Sequence, residues 1–292
     1  MTFYKSQLTV RNKQLQLRDI IPIFSLLLWV GMLTSCEGIL SSIYDEPFEK
    51  GSSVDVRGDT IRGSLYIEAN EWDEWFYVDL HAIREAVTAA HEGGTMDSTC
   101  LKFEPFKVPT TLTGEWDGTS RIYTYLFRVI TGQGLDDNEL LDVRETDTQP
   151  EAPTWDFAIH RNNNRTNGGA ALETSFSSLG DLPINSATLL NQMVSEGKDT
   201  TFIADTYSDK DVWVDQTTML QEIIPCQGIM INEVLSRWMI VELTTPPPIF
   251  HHNGHVFLLR MNDDTIAALR CANYISARNV KCCLTIEYLY PY

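Results

Sequence analysis

Positive charge is what this chain has least of. Its 22 Lys and Arg face 40 Asp and Glu, a formal net charge of −18 over 292 residues. That balance repels phosphate backbones and excludes a nucleic-acid partner. Cysteine is sparse as well: six in a chain of this length do not make a disulfide scaffold. There is no Gly-x-Ser-x-Gly elbow and no His-Glu-x-x-His run, and Gly168-Gly169 lacks the following Lys-Ser/Thr pair of a phosphate loop. Trp116-Asp117-Gly118 and the many acids read as solvated turns rather than a placed catalytic carboxylate pair. An enzyme is therefore not expected. Repeats, low-complexity blocks and composition shifts that would force a domain boundary are missing too. What is present is a globular composition, 43% hydrophobic and 21% charged, sufficient to bury a core.

The N-terminus carries an address. Lys5, Arg11, Lys13 and Arg18 precede the apolar run from Ile20 to Leu33, which Pro22 and Gly31 interrupt. The run is too short for a membrane span and suits the apolar region of a signal peptide. It ends in Leu33-Thr34-Ser35-Cys36, which resembles the bacterial lipobox. Residues 1–35 are thus predicted to be a lipoprotein signal peptide, with Cys36 becoming the diacylated N-terminus. Each buried CH₂ of the acyl chains holds the protein to the membrane with about 0.8 kcal/mol. Residues 36–60, with Gly38, Ser41, Ser42, Gly51, Ser52 and Ser53 among Asp45, Glu46 and Glu49, read as a flexible, hydrated tether.

Beyond the tether the periodicity is mostly two. Leu65, Ile67 and Ala69 alternate with Tyr66 and Glu68, and Trp75–Leu80 is aromatic and β-branched. Further strands are predicted at Pro109–Glu115, Ser120–Ile130, Trp155–His160, Thr200–Ala204, Asp211–Asp215, Arg237–Leu243, His255–Met261, Thr265–Cys271 and Val280–Tyr290. In the last, Leu284, Ile286, Tyr288 and Tyr290 share one face. Asp263-Asp264 signals a tight turn, so the chain ends as an antiparallel meander. One helix is predicted at His81–His91, stopped by Gly93-Gly94, and Asp136 with Glu139 reads as a capping box for another. Of Cys100, Cys226, Cys271, Cys282 and Cys283, the pair Cys271 and Cys282 reads as cross-strand neighbours, and burial as small hydrophobes is the default for all five. The fold class is all-β with minor short helices, in antiparallel sheets forming one domain over residues 61–292.

Four segments together resemble the HmuY-like haem-binding lipoproteins of Bacteroidetes. They are Trp155–Arg161 with Arg165–Ala170; Leu65–Ala69 leading into Trp75-Phe76-Tyr77; Trp238, Pro247-Pro248-Ile249-Phe250 and Val256–Arg260; and the closing Leu284–Pro291. They occur in the family order. Relative to the smallest members, about 81–149 is an insertion. The acids after Cys36 also look like the surface-export signal of such lipoproteins. The resemblance implies an HmuY-like single domain, anchored in the outer membrane at the cell surface, that binds haem and hands it to a TonB-dependent transporter.

Haem iron takes His imidazole or Met thioether as axial donors. The resemblance implies two such ligands, both His or both Met, on loops. The first falls in Val212–Met219, where Met219 matches best and Met230 is the reserve. The second falls in Val241–Pro248, which holds neither His nor Met; Pro246 stands at the ligand position. His251, His252 or His255, a few residues on, are the substitutes at hand. With one thioether, apolar contact at roughly 25 cal/mol per Å² would supply most of the affinity. Arg161 suits a haem propionate. Alternatively Asp156, His160, Arg161, Arg165 and Asn167 form a buried structural network, the reading the sequence favours. The missing second donor keeps another function open: a binding module for a different tetrapyrrole, a glycan or a partner protein on the same scaffold.

Overall fold

A computed structural model describes residues 51–112, 114, 118–119, 121–132, 137–149, 151–213, 222–242 and 249–292. In chain order the elements begin with strands β1 (Ser53–Arg57), β2 (Thr60–Glu68) and β3 (Glu74–Val78), then helix α1 (Leu80–His91). Strands β4 (Phe106–Lys107), β5 (Tyr123–Ile130), β6 (Asn138–Thr146), β7 (Phe157–His160), β8 (Asn163–Thr166) and β9 (Ala170–Glu173) follow. Helix α2 (Ser186–Ser195) precedes β10 (Ile203–Ala204), β11 (Thr206–Trp213) and β12 (Glu222–Ile231). The last are β13 (Met239–Glu242), β14 (Ile249–His252), β15 (Val256–Arg260), β16 (Ile266–Ile275) and β17 (Lys281–Tyr290).

The pairings are antiparallel, and the class is the predicted one: mostly strand with two short helices. A seven-stranded sheet runs β1-β2-β17-β16-β15-β9-β10, so the first and last strands of the domain lie near one another. Two four-stranded sheets run β4-β3-β7-β8 and β11-β12-β5-β6, and β13 pairs with β14 as a ribbon.

Alternation along the strands builds layers. On β3, Phe76 and Val78 face the main core, where they meet Leu65 and Ile67 of β2 and Leu284, Ile286, Tyr288 and Tyr290 of β17. Trp75 and Tyr77 face the other way, against Tyr125 of β5 and Cys226, Ile229 and Ile231 of β12. Helix α1 adds Leu80, Ile83 and Val87 to the main core. Helix α2 covers the opposite face of the seven-stranded sheet, placing Leu189 and Met193 on Leu172, Val256, Leu258 and Ala268.

Caps set the helix ends. Asp79 accepts from Ala82 N at 2.7 Å and starts α1. Gly93, at φ 96°, donates to Ala90 O as the helix stops. In α2, Asn185 accepts from Thr188 N at 2.9 Å.

Several expectations need correction. The ordered fold starts before residue 61: β1 lies within the stretch read as tether, because Gly58 (φ 64°) turns the chain and Ser53–Arg57 pairs with β2 from Ser64 back to Thr60. The strand expected at Pro109–Glu115 is not found over residues 109–112, the rest lying partly outside the described residues, and the neighbouring strand is β4, where Trp75 pairs with Phe106. The helix expected near Glu139 is strand β6, held along β5 by cross-strand pairing that outweighs a capping pattern; Asp136 lies outside the described residues. Cys271 stands opposite Ile286 rather than Cys282, because the β16–β17 turn closes from Ser276 to Val280 and so centres near Arg278 instead of Ser276-Ala277, and none of the five described cysteines forms a disulfide. Cys226, Cys271, Cys282 and Cys283 are buried, as small hydrophobes should be.

Candidate functional site

The two expected ligand segments join the strands of two hairpins. Residues 214–221 connect β11 to β12, and residues 243–248 connect β13 to β14. Met219 and Pro246 fall in these connections and lie outside the described residues, as does Cys36. The strands that carry the connections are described, and they place the reserves.

Met230 is half-buried on β12, opposite Tyr207 of β11. This is the end of the hairpin away from the connection. Eight residues separate Met230 from Glu222, which at about 3.3 Å per residue is roughly 25 Å of strand. Tyr207 beside Met230 is half-exposed, and Arg121 stacks on the Tyr207 ring with Cζ 3.4 Å from the centroid.

His251 and His252 alternate across β14. His251 pairs with half-exposed Ile240 and is exposed, whereas His252 pairs with buried Met239. His252 Nε2 lies 2.7 Å from the Cys271 carbonyl oxygen, and its ring is 5.5 Å from that of Tyr274. A carbonyl only accepts, so Nε2 carries a proton and donates it there. His255 is held elsewhere: its Nδ1 is 2.9 Å from Glu173, and it lines a cleft of about 510 Å³ with Met193, Lys198 and Arg237. Met230 and the two β14 histidines stand on different sheets, and His255 lies in the β14–β15 connection.

The segment from Asp156 to Asn167 is buried and hydrogen-bonded, which supports the structural reading over a propionate site. His160 Nε2 meets the Trp72 carbonyl, Arg161 donates to Asn70 O, and Arg165 donates to the Tyr77 hydroxyl. Arg161 adopts φ 54° at the β7–β8 turn and is 1% exposed, so no propionate reaches it from solvent. Arg165 lies over Trp75, Tyr77 and Trp155 at 4.7, 5.4 and 5.0 Å and pairs with Glu151 at 2.8 Å. Asn167 donates to Trp155 O. Burial pushes His160 down to about 4, helped by Arg161 and Arg165 and opposed by the Trp72 carbonyl.

Sequence reasoning missed a second polar junction. Asp205 accepts from Thr166 N at 2.7 Å, Thr166 Oγ1 at 2.9 Å and Asn232 Nδ2 at 3.0 Å, joining β8 to the start of β11 and the end of β12. Burial raises the Asp205 carboxyl against the pull of these donors. Nothing local marks these partners, which lie 39 and 27 residues apart.

Comparison with known proteins agrees with this architecture. A solved structure described as a lipoprotein of Bacteroides fragilis aligns at 26% identity and TM-score 0.50, covering 82% of this chain and 95% of its own. One described as an HmuY-like haem-binding protein of Bacteroides vulgatus aligns at 23% identity and TM-score 0.51, covering 84% of this chain and 99% of its own, a likeness of fold. No curated protein matches. The model of the HmuY protein family matches residues 71–288, three quarters of the sequence, and the chain belongs to that family.

Proposed function

We propose that this chain is a lipid-anchored surface protein that binds haem and passes it to a TonB-dependent transporter in the outer membrane. The observation that carries the reading is the family match across residues 71–288, which spans both hairpins of the candidate site. The donor types fit: thioether and imidazole are what haem iron takes from protein. Bound haem would supply the iron centre. Met219 would hold it from the β11–β12 connection, with His251 or His252, at the end of β14, as the nearest nitrogen donors to the second connection. Met230 is the candidate for a separate contact at the hairpin's far end. Leu243–Pro248 offers iron no lone pair of the usual kind, so without one of these histidines the grip is one-sided and weaker than a two-donor grip. That same gap favours a second reading, a non-haem tetrapyrrole, a glycan or a partner protein on this scaffold. Acylation of Cys36 would keep the domain at the membrane through hydrocarbon burial.

A haem titration tests this. Residues 37–292 mixed with ferric haem should shift the Soret band, and Met219→Ala should weaken binding by roughly tenfold or more, as loss of an axial donor does. No shift in the wild type excludes haem and leaves the second reading. Labelled palmitate should enter the full chain and be lost in Cys36→Ser; retained label overturns the anchor.

A further inference from the structure

His81, the second residue of α1, has both ring nitrogens on carboxylates. Nδ1 is 2.8 Å from Asp156 Oδ1, and Nε2 is 3.0 Å from Asp263 Oδ2. Asp156 precedes β7 and is buried; its other oxygen accepts from Leu80 N at 2.6 Å and His81 N at 3.3 Å. Asp263 sits in the β15–β16 turn, its Oδ1 held by Thr265 N and Oγ1 at 3.0 and 2.6 Å. Three elements far apart in sequence thus meet on one imidazole.

The chemistry of the contacts fixes the charge. A carboxylate only accepts, so two carboxylates on one imidazole require two N–H donors, and the ring is the imidazolium. Other charged or titratable groups face it from each neighbouring element. Asp79 caps the same helix turn, with a carboxylate oxygen within 4.8 Å of a His81 ring nitrogen and an Asp156 carboxylate oxygen. Glu85 lies one turn along α1, Arg84 donates to Asp59 O of the β1–β2 turn, and the Tyr290 ring of β17 lies edge-on at 5.1 Å. The surroundings are net acidic. Partial burial works against the charged ring, but Asp263 and Asp156 outweigh it and hold His81 above the ordinary 6.5. Asp263 is pulled down to about 2, chiefly by the Thr265 hydroxyl with help from His81, and so stays ionised.

We propose that His81 is a proton-operated latch, which when doubly protonated bolts α1 and the β15–β16 turn to the entry of β7 and on losing its Nε2 proton releases the turn. The Nε2 proton is the one that leaves. Nδ1–H faces the buried Asp156, where water cannot replace it, whereas Nε2–H faces Asp263, whose side chain is 44% exposed. Once Nε2 is bare, its lone pair opposes the Asp263 carboxylate, which turns to solvent. The latch sits between two clefts, of about 670 and 360 Å³, both lined by His81, so the release changes the walls of each. Because the folded state raises the proton affinity, the latch is fully closed below the unfolded value of 6.5 and opens as pH rises through the folded one.

Imidazole ¹⁵N NMR of the full domain is the direct test. Both His81 nitrogens should be protonated at about pH 6, with a titration midpoint above 6.5 that moves down in Asp263→Asn. Amide-exchange protection at Thr265, corrected for the intrinsic rate, should fall roughly threefold from about pH 6 to 9, the scale of a half-exposed ion pair, and not fall in His81→Gln. A neutral ring at about pH 6, or the same protection profile in wild type and His81→Gln, overturns the latch.

Discussion

His160 and His81 pull stability in opposite directions, and the reason is what each ring touches. His160 is fully buried with a carbonyl as its partner and two arginines nearby, so folding holds it neutral at about 4. In the unfolded chain it takes a proton near its ordinary 6.5. Stability is therefore lost as pH falls from 6.5, and the loss is complete below about 4, where it reaches roughly 3 kcal/mol by linkage. His81 loses stability on the other side, as pH rises. We expect urea midpoints of the domain to fall between about pH 7 and 4.5, and His160→Gln to flatten that acid limb; an unchanged slope in the variant excludes His160 as its source. Arg165 is a second residue whose chemistry is specific. Its planar guanidinium covers three aromatic rings, which an ammonium cannot do. Arg165→Lys should cost about 1–2 kcal/mol and Arg165→Met about 2–3 kcal/mol, the latter also losing the hydrogen bond to the buried Tyr77 hydroxyl and the ion pair with exposed Glu151. Equal midpoints for wild type and Arg165→Lys in denaturant titrations would remove the stacking argument.

At the scale of elements, α2 is the helix the sequence analysis passed over, although its signals are local: Asn185 as cap, Leu189 and Met193 one turn apart, and Gly197 at φ 70° as the stop. Removing the cap should be visible. Asn185→Ala is expected to cost about 1 kcal/mol by orphaning the Thr188 amide, while Asn185→Asp holds wild-type stability; calorimetry of the two variants separates capping from any other role of the side chain. Strands β2 and β17 were legible because alternate residues enter a continuous core, and β15 and β16 because both of their faces are apolar, one in the main core and one under α2. Strands β1, β4 and β6 were not. Their residues carry weak patterns, and each exists because a long-range partner, β2, β3 or β5, offers it a ladder. The same limit applies to the candidate site. Donor types at Met219, Met230, His251 and His252 could be read from the sequence, but the roughly 25 Å of strand between Met230 and the β11–β12 connection could not. Nor could the bond from His252 to the Cys271 carbonyl, which joins β14 to β16.

On the scale of the whole molecule, the domain closes by bringing its two ends together, and this decides where it begins. Strand β17 lies between β2 and β16, so residues near 290 share a core with residues near 61. Among the described residues β1 alone sits outside β2, and its contribution can be itemised. Val54 and Val56 pack against the main core, Ser53 O accepts from Tyr288 Oη at 3.2 Å, and Gly51 O accepts from Ser64 Oγ at 3.2 Å. Two half-buried valines and a five-residue ladder are worth about 2–4 kcal/mol together. For a domain of this size that is a Tm change of roughly 5–15 °C. The loss would also bare the β2 edge, whose unpaired backbone groups are a template for a second chain. A chain starting at Gly51 should therefore melt where the 37–292 chain melts, and remain monodisperse. A chain starting at Ile61, the boundary that composition alone suggests, should melt lower and associate on standing. Calorimetry and light scattering on the three chains decide the matter: if the Ile61 chain matches the others in both, β1 is an accessory and the domain begins where the Ser- and Gly-rich stretch ends.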